Sequence, residues 1–137
     1  MAYWLVKSEP GAWSWDDHVK AGVAEWDGVR NYQANNNMKA MKVGEQAFFY
    51  HSVNEKRIVG IVEVVREHYP DPSDASNRFG MVDFKTLVPF ANPITLAEIK
   101  ADERLSDLAL IRQSRLSVTP IDDDAWALLC AMGGVSS

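Results

Sequence analysis

Runs of apolar and polar residues along this chain outline a sheet with short helices between its strands. Tyr3-Trp4-Leu5-Val6-Lys7 is aromatic and β-branched, a strand by propensity, and Pro10 with Gly11 ends it. Gln46-Ala47-Phe48-Phe49-Tyr50-His51-Ser52 predicts a second strand, too apolar along most of its length to face water on either side, so it belongs in the middle of a sheet. A charged turn at Glu55-Lys56-Arg57 leads into a third strand from Ile58 to Val65, where Gly60 predicts a bulge or a close approach to the backbone. Tyr69-Pro70-Asp71-Pro72-Ser73 breaks the pattern and opens the longest irregular piece, about residues 68 to 79. Met81 to Val88 then alternates apolar with polar, the pattern of a half-exposed strand.

The helix signals are local. Ser14 is a hydroxyl N-cap ahead of Trp15 to Ala21, with acids in the first turn and Gly22 just past the end. On that helix His18 reads as an exposed surface residue. Gln33 to Lys42 predicts a modest helix that ends before Gly44, with Met38 and Met41 on one face. Thr95 and Glu98 make a capping box for a short helix through Lys100. Asp122 to Asp124 start an amphipathic helix that buries Trp126, Leu129 and Cys130 before Gly133 stops it; this acid run is a helix-start device, not a metal site.

Size and charge narrow the classes. A chain of 137 residues, 47% of them hydrophobic, suits a single domain spanning 1–137 with a core that needs no disulfide. The lone Cys130, among leucines and a methionine, reads as a buried structural thiol in a reducing compartment. The sequence carries no signal-peptide pattern and no apolar run long enough to span a bilayer, so a cytoplasmic location is expected. A net charge of −5 excludes a sequence-blind nucleic-acid coat but not a small positive site.

Two stretches carry the candidate chemistry, one with no acid between Asp27 and Glu45 and one with none from Leu108 to Ile121. In Trp26 to Gly44 the turn Asp27-Gly28 is followed by five carboxamides, Asn31, Gln33, Asn35, Asn36 and Asn37, with Arg30, Lys39 and Lys42 for charge. Carboxamides present both donors and an acceptor and can match a nucleobase edge. In Leu108 to Ile121, Arg112-Gln113-Ser114-Arg115-Leu116-Ser117-Val118 has the composition of a phosphate-contacting element. Each stretch taken alone is equally what a solvated face looks like. Lys7-Ser8-Glu9 and His51-Ser52 lie at strand ends, where polar groups converge on ligands. The histidines fall at no metal-like spacing, and no nucleophile elbow or Gly-rich phosphate loop is present. A hydrolase using His51 with Ser52 or Glu9 is disfavoured further, because neighbours on a strand point to opposite faces.

Four motifs, in order and spanning nearly the whole chain, resemble the EVE domain family: Tyr3 to Pro10, Trp26 to Ala34, Phe48 to Ser52, and Arg112 to Val118. The resemblance implies an α+β, PUA-like fold, a curved β-barrel of mostly antiparallel strands with short peripheral helices, related to the YTH readers of methylated RNA. It implies a non-catalytic reader, without cofactor or metal, that holds a flipped modified base against an aromatic wall. The base expected is methyl- or hydroxymethylcytosine in DNA; alternatives are a modified RNA base or a free nucleotide sensed by the same pocket. By similarity the site residues are Lys7, Ser8, Glu9, Trp26, Asn31, His51, Ser52, Arg112 and Arg115; for the aromatic face that must replace lost stacking, Trp26 is the first candidate and Tyr50 or Trp4 the others. The family commonly has arginine where this chain has Asn35, which removes a phosphate partner and argues against tight, general DNA binding. A monomer working with an effector encoded elsewhere, away from membranes, completes the expectation.

Overall fold

The computed structural model describes residues 1–135. Six strands form one sheet: β1 (Tyr3–Ser8), β2 (Val23–Glu25), β3 (Gln46–His51), β4 (Arg57–Pro70), β5 (Gly80–Thr95) and β6 (Val118–Ile121). Their order is β2-β5-β4-β3-β1-β6. Only β1 with β3 is parallel; the other pairings are antiparallel. The sheet is open, since among the described residues its two edge strands, β2 and β6, do not pair with each other, so the expected barrel does not close. β3 is an inner strand, as its unbroken apolar run requires. β4 and β5 are far longer than expected, and their register shifts at several points let so long a pair bend.

Alternation along the inner strands divides the core in two. On one face Trp4, Val6, Phe49 and Phe84 meet α1 (Trp15–Ala21) and α2 (Tyr32–Ala40), which contribute Trp15, Ala34 and Met38. On the other, Leu5, Phe48 and Tyr50 are covered by α3 (Leu96–Ala101), α4 (Ala109–Arg112) and α5 (Asp123–Gly133). There the Trp126 ring stacks on Tyr3 at 4.3 Å and on Phe48 at 4.0 Å. Gly60 has its bulge and its close approach together: a Cβ there would lie 2.4 Å from the Trp15 ring. Helix α5 runs through Gly133 and is capped by Gly134 at φ 73°, one residue later than expected.

The capping boxes form at Ser14/Asp17 and Thr95/Glu98. His18, expected on the surface, is fully buried instead. The irregular piece shrinks to residues 71–79, because β4 continues to Pro70. No helix among the described residues is long and apolar enough to cross a membrane.

Candidate functional site

A cavity of about 850 Å³ opens where the end of β1, the loop after it, β2 and the turn Asp27–Arg30 come together. Trp26 forms its floor. The backbone N–H of Trp26 donates to the Val82 carbonyl at 2.7 Å, and its indole is held edge-on against Phe49 and Phe84 at 5.4 and 5.5 Å. Only 7% of Trp26 is exposed, so it is at once a core residue and a cavity wall. A second indole, Trp13, is half-buried and also lines the cavity.

His18 orients that second indole. Trp13 Nε1–H donates to His18 Nδ1 at 3.0 Å, which leaves His18 Nε2 to carry the ring proton and donate it to the Phe84 carbonyl at 2.9 Å. Burial pulls the His18 pKa below its ordinary value, and the hydrogen bond to Phe84 opposes this in part. The imidazole is therefore a neutral bridge between the sheet and the cavity wall. The preceding loop is tightened by the Ser8 hydroxyl, which donates to the Trp13 carbonyl at 2.5 Å, and by N–H groups of Ala12 and Trp13 donating to the Glu9 carbonyl.

The turn on the opposite rim is pinned from a distance. Asp71, with its side chain fully buried, accepts from Gly28 N–H at 2.9 Å and from Arg30 at 3.2 Å through one oxygen. Its other oxygen accepts from the Ser73 N–H and hydroxyl. Burial pushes its carboxyl up, but these donors and the Arg30 guanidinium outweigh burial and hold its pKa at about 2. Asp83, on the cavity lining, accepts from the Tyr69 hydroxyl at 2.6 Å; burial and that carboxylate push the phenol up to about 12.

Four of the expected site residues, Lys7, Ser8, Glu9 and Trp26, line this cavity. Lys7 Nζ donates to the Ser114 carbonyl at 2.8 Å, drawing the 114–117 segment alongside so that Ser117 joins the lining. Burial lowers the Lys7 pKa. The other six lie elsewhere. Asn31 caps α2 by accepting from Ala34 N–H, and Tyr50 is buried in the core on the far face of the sheet. His51 accepts from Trp15 N–H at 2.9 Å through Nε2 and donates from Nδ1 to Glu55, which anchors the start of α1. Ser52 N–H donates to the Ser8 carbonyl. Arg112 pairs with Asp107 on the surface, and Arg115 is exposed outside the cavity. Asn35 is buried, and its Oδ1 accepts from Gly80 N–H and His68 Nε2, so the side chain is held inside the fold and not presented at the surface. Trp13 is a lining residue outside every stretch singled out in the sequence, its one signal being its place between a strand end and a helix cap, whereas Ser117 belongs to the Arg112–Val118 run.

The charged lining comprises the carboxylates of Glu9, Glu25, Asp27 and Asp83 with the bases Lys7 and Arg30, beside two indoles. No group of three or more His, Cys, Asp or Glu side chains among the described residues is arranged to hold a metal ion.

The EVE domain profile matches residues 2–132. The chain belongs to the EVE domain family. A Rhodopseudomonas palustris protein of this fold, solved by NMR, is 54% identical, with a TM-score of 0.92 over 98% of this chain and 94% of that one. Human thymocyte nuclear protein 1 is 33% identical over 96% of this chain and 73% of its own length. The structure of human THYN1 in complex with 5-methylcytosine-containing DNA aligns over 100% of both chains with a TM-score of 0.88 at 33% identity. A YTH domain from Zygosaccharomyces rouxii shares the fold alone, with a TM-score of 0.56 at 14% identity over 99% of this chain and 89% of that one.

Proposed function

We propose that this EVE domain is a non-catalytic reader of a modified base, a methyl- or hydroxymethylcytosine in DNA, which enters the cavity as a flipped nucleotide. The observation that carries this reading is the pair of fixed indoles, Trp13 and Trp26, on one cavity that also holds hydroxyls and carboxylates. A base leaving a duplex loses its stacking, and an aromatic wall restores it. The exocyclic amine of cytosine is a donor in need of an acceptor, and the lining carboxylates are acceptors. The relation to human THYN1, whose complex contains 5-methylcytosine DNA, supports the same direction. The imidazoles nearest the site have both nitrogens engaged in structural hydrogen bonds, which supports binding over acid–base chemistry.

Discrimination by a methyl group in an apolar niche is limited to about 1 to 3 kcal/mol, so a preference of roughly ten- to a hundred-fold is expected. The test is a binding panel of oligonucleotides differing only in one base: cytosine, 5-methylcytosine or 5-hydroxymethylcytosine in DNA, with the matching RNA strands. Preference for a modified cytosine in DNA supports the reading. Equal affinity for all, or preference confined to RNA, overturns it.

A further inference from the structure

Beside the cavity, and sharing Arg30 with its lining, stands a surface of exposed aromatic and basic side chains. Arg30, on the cavity rim, reaches outward so that its guanidinium lies 5.8 Å from the centre of the Phe79 ring, while it also donates to the Ser73 hydroxyl. Phe79 in turn packs against Tyr32 at 5.0 Å, with the two rings inclined by 37°. Tyr32 is 60% exposed, so the face of its ring is open to a stacking partner. Arg78 closes the row, with a guanidinium nitrogen 3.4 Å from the Tyr32 hydroxyl. The row therefore runs continuously outward from the cavity: Arg30, Phe79, Tyr32, Arg78.

The loop that presents it is rigid for a legible reason. Asp74 accepts from the N–H groups of Ser76, Arg78 and Phe79, which fixes the backbone carrying Phe79 and Arg78. Asp71 fixes Arg30 and Gly28 in the same way. Asp74 is thus engaged with the loop itself and Asp71 pairs with Arg30, whereas Arg78 has no ion-pair partner among the described residues. On a chain of net charge −5, an exposed aromatic between two arginines is a local exception with a chemistry of its own. Bases stack on such rings whatever their identity, and guanidinium groups pair with phosphate.

We propose that Tyr32, Phe79, Arg30 and Arg78 form a strand-docking platform, on which the nucleotide next to the flipped one stacks while its phosphate meets the arginines. This rests on the cavity being the base site. It assigns the platform to affinity and placement, and the cavity to the choice of base.

The test uses Tyr32→Ala and Arg78→Gln, both exposed side chains, measured by fluorescence anisotropy with oligonucleotides that do or do not carry one 5-methylcytosine, as DNA and as RNA. On the platform's account each variant weakens binding of modified and unmodified strands alike, by about fivefold to a hundredfold for loss of a stacked base, and leaves their ratio unchanged. Arg78→Gln also lowers the slope of log affinity against log salt by about 1. Variants within twofold of wild type on every strand overturn the platform, as does a ratio that collapses with affinity, because Tyr32 would then belong to the base site. A wild-type ratio of one overturns the cavity reading instead, and the platform is still judged from the absolute affinities.

Discussion

Asp71→Asn changes one buried atom and tests how the cavity rim is held. In the native carboxylate, four donors converge on two oxygens: Gly28 N–H and Arg30 on one, Ser73 N–H and Oγ on the other. An asparagine keeps one acceptor oxygen and turns the other into an NH₂ that faces two donors. The displacement of the carboxyl pKa from 3.8 to about 2 gives a first magnitude. At 1.36 kcal/mol per pKa unit, the ionised group contributes about 2 kcal/mol at neutral pH. Donors left unsatisfied raise the cost of the variant to about 2 to 4 kcal/mol. The sign follows from the direction of the displacement: a carboxyl depressed in the folded state stabilises fully above its unfolded value, and that stability is lost as pH falls through the folded one. Urea unfolding of wild type and variant at a series of pH values reads this directly. The gap between them is expected to be widest above about pH 5 and to lose roughly half of the carboxylate's contribution by about pH 3. Binding of modified DNA by the variant is expected to weaken, since the freed turn carries Asp27 to Arg30 on the rim. A gap that stays constant from pH 6 to pH 3, or is absent at pH 7, would refute the reasoning.

Further expectations concern the walls behind the cavity. Gly60→Ala puts a methyl against the Trp15 ring and is expected to destabilise by about 1 to 3 kcal/mol in chemical denaturation. Because the His18 pKa lies below its ordinary 6.5, the unfolded chain takes up that proton first; its contribution to stability is present above about pH 6.5 and lost as pH falls through the folded value. His68, whose pKa is lowered by burial and by Lys39, titrates in the same direction, so the His18 share is read as the difference between wild type and His18→Gln in thermal unfolding across pH 5 to 8. Cys130 is 1% exposed and burial pushes its thiol up to about 11, so it is expected to resist a thiol reagent at pH 8 until the protein is unfolded.

What the sequence revealed, and what it hid, divides along a physical line. Strand β3 was legible because its apolar run leaves no face for water, and the Thr95/Glu98 capping box and the Ser14 N-cap were legible because their signals are local; that Asp17 completes a box at Ser14 came only with the structure. Lys7, Ser8 and Glu9 line the cavity from a strand end, a placement that the sequence also allowed as a solvated edge; the family resemblance, not the strand pattern, singled them out. His18 was misplaced because its partners, Trp13 and Phe84, are respectively outside its helix and 66 residues away. Asp71 carried no signal at all, since the turn it pins lies 43 residues earlier. Asn31 and His51 show another limit: a polar side chain advertises its hydrogen-bonding capacity in the sequence, but its partner is chosen by the fold. Three residues of β2 are too few to show a period.

The five tryptophans offer the most direct test of the central claim, because each indole N–H gives its own signal in a nitrogen–proton correlation spectrum. Trp13 and Trp26 line the cavity, whereas Trp4 is held by Glu45, Trp15 packs on Gly60 and Trp126 lies on the opposite face of the sheet. Adding an oligonucleotide with one 5-methylcytosine is expected to shift the Trp13 and Trp26 signals, leave the other three in place, and have a far smaller effect when the base is unmodified. Saturating modified DNA that moves neither Trp13 nor Trp26 would contradict the account.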